Sequence, residues 1–381
     1  MKIRSLMLGF VILPGMASAC INDRDTLAFE KRNVDAVARV TNEKDPDKKA
    51  KVVQEIVLRA IGGRFDRFPP RYYEMRIARL EAKPTLTAQE YDDLAVAYDR
   101  LGQVDRAISI ILDSQKSRKS ADDQYRFHAN YGTFLVHRWI LNGQKPTEIK
   151  TLDQSIAEIE AALKINPSSH FGREAVQLKL QQFWHYSALG KPRKPIEWHF
   201  GNSWTKQETQ VGLAGLIMMG LAYELPDAYI ALSAAPHLGH VKSRLPEFAW
   251  LRNRELKEAG ISTVGDFSTY NLIHHDAEFS GASMAEYQGL RQDGDDVYHR
   301  RLAYMNSRFA MGQHPDTDPD FWNDWQEPPY PVLKVVPDSS VMITPIGRLT
   351  PTIVNAAIAL GAIFLTSVTA AIFWRRRRRL R

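Results

Sequence analysis

From residue 47 to residue 311 the apolar positions recur at helical spacing, in runs separated by glycine or proline. Val52, Val53, Ile56 and Val57 begin the pattern, and Gly62-Gly63 ends that run. The connector RFDRFPP follows. Its Pro69 and Pro70 suit a first helical turn, and RYYEMRIARLEAK continues as helix up to Pro84. Residues 47–83 are therefore expected to form a degenerate two-helix unit or cap. A better-formed pair lies in YDDLAVAYDRLGQVDRAI, with Gly102 at its turn and Tyr91 and Tyr98 as core. YRFHANYGTFLVHRW opens the next unit. LNGQKPTEIKT then intervenes before SIAEIEAALKINP, an excess of roughly eleven residues that is expected to form an inter-helix loop.

The run from Phe171 to Leu189, closed by Gly190, predicts another helix. GKPRKP breaks the rhythm. Val211 to Tyr223 is strongly apolar but too short to cross a membrane, so it reads as a buried helix whose glycines allow close packing. Further helices are expected after Pro226, through LPEFAWLRNRELKEAG, and over 281–311. GQHPDTDPDFWNDWQEPPY reads as an ordered acidic and aromatic loop. The proline-punctuated stretch after it reads as an extended stalk.

The two ends carry membrane signals. Lys2 and Arg4, the apolar run Leu6–Leu13, the break at Pro14-Gly15 and the small residues Ala17-Ser18-Ala19 have the order of an export signal. Cys20 follows the expected cut. That is the place of an acylated thiol in a lipoprotein, although Ala17 stands where a larger aliphatic residue is usual; the other reading is a small residue after an ordinary cleavage site. IVNAAIALGAIFLTSVTAAIFW, residues 353–374, has no charged residue. At about 1.5 Å per residue it spans a hydrocarbon core of about 30 Å. Five consecutive arginines follow it, which the positive-inside rule retains in the cytoplasm. Residues 20–352 are thus expected outside the cytoplasm, on a single C-terminal span.

Leu94, Ala95, Tyr98, Gly102, Ala107 and Ile111, and later Ala162, Leu163, Asn166 and Pro167, stand at the places of a repeated two-helix unit. On these residues, over about 88–190, the chain resembles the tetratricopeptide-repeat family. More loosely, CINDRDTLAFE, GRFDRFPPRYYEMRIARLEA and GQHPDTDPDFW are similar to a group of exported bacterial tetratricopeptide proteins. The resemblance implies an all-α, helix-turn-helix solenoid whose concave face binds a protein or peptide. First-helix residues would line that face, here Asp92, Val96, Asp99, Arg126, Thr133 and His137. It implies no cofactor and carries over no catalytic residue. The expected organisation is a signal peptide (1–19), a tetratricopeptide-like helical domain (20–190) and a helical extension (191–311). A loop and stalk (312–352), the span (353–374) and an arginine tail (375–381) complete it.

Composition narrows the chemistry. Hydrophobic residues make up 44% and charged residues 25%, the balance of a folded protein rather than a disordered one. The six arginines of the tail account for the whole formal net charge of +6, so the basic character belongs to the tail and gives no case for a nucleic-acid-binding body. One cysteine excludes an intramolecular disulfide and a cysteine-rich zinc site. Asp316, Asp318, Asp320, Asp324 and Glu327 have the spacing of a calcium loop, but Phe321 stands where such a loop needs glycine. His237 with His240, and His274 with His275, offer too few ligands for zinc, and no metal site is assigned. No phosphate-binding glycine loop or serine nucleophile elbow is present. The expected function is an anchored scaffold for a protein or peptide. The alternative is an envelope enzyme, hydrolase-like, with its site between the solenoid and residues 195–330.

Overall fold

A computed structural model describes residues 21–28, 42–167, 172–190, 206–219, 222–234, 244–267 and 281–329. The export signal, Cys20, both histidine pairs, the stalk from residue 330, the span 353–374 and the arginine tail lie outside the described residues. The described chain is all-α. Its helices are α1 (Pro46–Gly62), α2 (Pro70–Glu81), α3 (Ala88–Arg100), α4 (Val104–Asp113), α5 (Ala121–Leu141), α6 (Ile149–Ile165), α7 (Arg173–Ala188), α8 (Lys206–Met219), α9 (Pro226–Ala234), α10 (Leu245–Glu258) and α11 (Gly281–Ala310). Among the described residues no helix is long and apolar enough to cross a membrane.

Local chemistry sets these boundaries. Thr87 with Glu90 and Ser120 with Asp123 form reciprocal capping boxes at the starts of α3 and α5. Each box satisfies amide groups that a helix start leaves unpaired. Gly102, at φ 78°, turns the chain from α3 into α4 through a left-handed conformation that other residues adopt at a cost.

From α2 to α8 each helix packs on its successor, and α3 also reaches α5. Leu80, Leu94, Ala95, Ala107, Ile111, Phe134 and Leu135 fill the core of this array. Tyr98 is buried with them, while Tyr91 is half-buried. The crossing of α5 and α6 is closest at Gly132, where an added Cβ would lie 2.9 Å from the Ile159 side chain.

Two expectations need correction. The extra residues before SIAEIEAALKINP do not make a long loop. α5 runs for 21 residues to Leu141, a short turn and a 3-10 turn follow, and α6 begins at Ile149. The added length goes largely into the helices, where interior amides find intrahelical partners, rather than into a solvated excursion. Likewise, residues 47–83 do not form a helix pair set at the end of the array. The apolar stripe of α1 (Val53, Val57 and Ile61) is fully buried, and α1 packs against α8, α10 and α11.

α11 packs the C-terminal end of the described chain onto its N-terminal helices. Leu290 and Gly294 lie on the end of α1, and Arg291 donates to the Gly62 carbonyl at 2.9 Å. Further along α11, Met305 and Phe309 pack with Tyr72, Tyr73, Ala97 and Phe321. A Cβ on Gly294 would overlap the Gly62 carbonyl oxygen and sit 2.8 Å from its carbon. Backbone cannot step aside as a side chain can. Gly294→Ala is therefore expected to lose about 1–3 kcal/mol of stability. Gly289→Ala on the same helix, where an added Cβ meets nothing within 4 Å, is expected to be neutral or slightly stabilising. Urea midpoints of the two variants check this.

The packing of α9 turns on one carboxylate. Asp227, fully buried, accepts from the Trp184 indole N–H at 2.8 Å and from the amides of Val264 and Gly265 at 2.9 and 2.8 Å. Burial pushes its pKa up to about 6, with the three donors opposing that rise.

Candidate functional site

The residues expected to line a concave face are all present on α3 and α5, and all are buried. Asp92 and Thr133 are 0% exposed, Val96 and Asp99 1%, His137 2% and Arg126 7%. They link helices instead of facing solvent. Asp92 accepts from Arg118 at 2.6 Å, from Arg126 at 2.9 Å and from Asn130 at 3.2 Å. Asp99 pairs with His137 at 2.7 Å, and Gln177 of α7 donates to Thr133 at 3.2 Å. Val96 belongs to the apolar core. The physical reason is a second layer: the polar face of α3 and α5 is covered by α7 and by the N-terminal segment of the chain.

That segment, part of CINDRDTLAFE, carried a family resemblance in the sequence but no expected place in the site. Ile21 and Asn22 are 0% and 1% exposed, and residues 24–28 are helical. Asp23 opens this turn by accepting the Thr26 amide at 2.9 Å. Asn130 takes the Asn22 amide at 2.7 Å and donates to the Asn22 carbonyl at 2.9 Å. Arg173 donates to the Ile21 carbonyl at 3.2 Å. Arg24 gives both its backbone amide and its Nε to Asp93, at 2.9 and 2.7 Å.

Comparison with family models, with curated proteins and with solved structures finds no match. The site therefore rests on its own geometry.

At its centre lies Arg76 of α2, fully buried. Its guanidinium forks onto Asp316 at 2.8 and 2.7 Å and also donates to Asp25 at 2.9 Å and Asp23 at 3.3 Å. Arg79 adds a further bond to Asp316 at 2.6 Å. Burial alone would raise the Asp316 pKa; the Arg76 bonds outweigh it and hold the carboxyl well below the usual range. His314 braces the same corner. Its Nδ1 accepts the Asp316 amide at 3.0 Å, so its Nε2 carries the proton and donates to the Tyr72 carbonyl at 3.0 Å. Burial lowers the pKa of that ring, in keeping with a neutral imidazole. A signal for Arg76 was present in the sequence: it sits on the stripe of Tyr72, Tyr73 and Leu80, at spacings of four, three and four, and all three are buried.

The calcium-loop spacing does not close around a shared centre. Asp316 serves Arg76, Asp324 pairs with Arg308 at 2.5 Å, Asp320 accepts from Asn323 at 2.7 Å, and Glu327 pairs with Arg301 at 2.5 Å. Phe321, at the place where glycine is needed, is fully buried against Tyr304 and Phe309. Among the described residues no group of His, Cys, Asp and Glu is placed to hold a metal ion.

Beside the Arg76 centre is a cavity of about 440 Å³. Asp23 and Asp25 of the N-terminal segment line it, with Tyr73, Arg100, Tyr223 and Tyr298. Burial, and next the neighbouring Asp25 charge, push the Asp23 pKa up to about 7. An acid raised on folding contributes stability below its unfolded pKa, and that contribution is lost as pH rises through the folded value. Thermal stability is therefore expected to fall between about pH 4 and pH 7 on this account. Asp23→Asn keeps the helix-capping oxygen and removes the charge. It is expected to flatten that fall, leaving the midpoint unchanged at pH 4 and raised at pH 7.5; melting curves across pH check this.

Proposed function

We propose that the chain is a membrane-anchored scaffold of the tetratricopeptide type, held outside the cytoplasm by its C-terminal span, that binds a protein or peptide. The observation that carries this reading is the way the helical array already holds a peptide segment. Asn130 satisfies both the amide and the carbonyl of Asn22, a contact that grips main chain whatever side chain it bears. Asp93 adds an acceptor two residues on, and Ile21 is sunk in the apolar core between the helices. Such a groove suits an extended segment with an apolar residue followed by polar and acidic ones.

A labelled peptide of residues 21–30 tests it. Binding in trans is expected to a variant carrying Ile21→Ala and Arg24→Ala, which loses the buried apolar anchor and the Asp93 ion pair of its own segment, and not to that variant with Asn130→Ala added. A loosened variant that keeps its helical circular dichroism yet ignores the peptide would overturn the reading. Alkaline carbonate extraction of membranes, with and without residues 353–381, reads the anchor: the full chain is expected in the pellet and the truncated one in the supernatant.

A second reading, an envelope enzyme with its site in the cavity, is favoured by the neighbouring carboxyl groups of Asp23 and Asp25 on its wall. Turnover of an ester, peptide or glycoside that is abolished by Asp25→Asn would support it. A panel of such substrates left intact by the purified chain would remove it.

A further inference from the structure

The cavity carries charges of both signs with bonding capacity to spare. Most of its ionic groups are already committed. Asp66 pairs with Arg301, and Asp23 caps the segment turn. Arg67 is pinned between the rings of Tyr298 and Tyr223, at 3.9 and 4.8 Å, with Asp295 at 3.6 Å. Arg100 and Glu224 differ. Arg100, the last residue of α3, makes a single hydrogen bond among the described residues, from Nη2 to the Met219 carbonyl at 3.0 Å. That bond orients the guanidinium, and its other donors have no partner among the described residues. Glu224 is exposed at the rim. Asp25 keeps 23% of its side chain exposed while Arg76 and Tyr72 fix its carboxylate. The aromatic residues Phe65, Phe68, Tyr73 and Tyr223 line the same cavity.

We propose that this cavity binds a small zwitterion of the amino-acid or dipeptide class, its carboxylate on Arg100, its ammonium on Asp25 and Glu224, and its side chain against the aromatic wall. The volume of about 440 Å³ falls within the roughly 300–1,000 Å³ of small-ligand sites. A guanidinium with free donors takes a carboxylate through paired bonds. An ammonium gains from carboxylates and from ring faces together. A simple cation would meet Arg100 as a like charge, and a simple anion would meet Asp25 and Glu224. A ligand bearing both charges satisfies all three. This inference does not depend on the peptide-holding contacts of Asn130 and Asp93, neither of which lines the cavity.

Calorimetric titration of the intact, detergent-solubilised chain decides it. The probes are phenylalanine, leucine and their dipeptides, each beside its N-acetyl and its amide form. The expected result is saturable binding of a zwitterion, with each blocked form weaker by about tenfold or more. Arg100→Gln is expected to weaken the zwitterion while leaving its amide unaffected, and Glu224→Gln to weaken the zwitterion while leaving its N-acetyl form unaffected. Both side chains reach solvent, so both variants should keep the parent circular dichroism. No saturable binding by any probe at millimolar concentration overturns the proposal. So does equal binding of zwitterion and amide, which would mark a site for cations alone.

Discussion

Replacing Arg76 with methionine is expected to cost the fold about 3–5 kcal/mol, the loss that follows when one partner of a buried ion cluster is removed. The methylene stem would still pack beside Tyr72. What disappears is the one group among the described residues that Asp23, Asp25 and Asp316 all share. Three carboxyls, those of Asp23 and Asp316 buried and that of Asp25 partly exposed, then face one another, with Arg24 and Arg79 reaching only Asp316 among them. For a unit of this size each kcal/mol moves the melting point by about 2–4 °C, so a fall of roughly 10 °C is expected by calorimetry. The loss should shrink on acidification, because protonated carboxyls need no counter-charge. Adding Asp316→Asn should recover part of it at neutral pH. Lysine is a poor substitute, since a point charge cannot fork onto Asp316 while also reaching Asp25.

Asp227→Ala is expected to be comparably damaging for a different reason. It strands donors rather than charges: the buried Trp184 indole and Gly265 amide and the half-buried Val264 amide would be left without this acceptor. An orphaned buried donor costs about 1–3 kcal/mol, so the sum should be at least about 3 kcal/mol. Asp227→Asn keeps one oxygen and should lose less. Hydrogen exchange separates this from general weakening, because the Val264 and Gly265 amides should lose protection first.

The helices were legible because their signals are local. The capping boxes at Thr87 and Ser120, Gly102 at its turn and the apolar spacing of Leu94, Ala107 and Ile111 each act within a few residues, and the array from α2 onward follows from them. The site was not legible, because it is made by distant pairings. Asp92, Asp99, Thr133 and His137 read as a solvent-facing stripe on α3 and α5, since nothing in their own helices announces a covering layer. That layer comes from Ile21–Asp25 and from Arg173 and Gln177, which meet those helices only in three dimensions. Asp316 was noticed for its spacing to Asp318 and Asp320, yet its partner is Arg76, 240 residues away. The extra length before Ser155 was visible as a number of residues but not as helix, since IKTLDQ carries no strong helical punctuation.

The seat of α1 bears on how the molecule comes into being. In a linear repeat array each unit touches only its neighbours, so folding can start anywhere and spread. Here Arg64, just past α1, pairs with Asp293, 229 residues away, and α1 rests on helices made long after it. Its fully buried stripe stays without a partner until α8, α10 and α11 exist. Such non-local closure slows folding and makes it cooperative. Fragments that end before α8 should therefore present Val53, Val57 and Ile61 to water and self-associate. α1 is made early yet is among the last helices that can settle, so the described helices reach their native packing cooperatively.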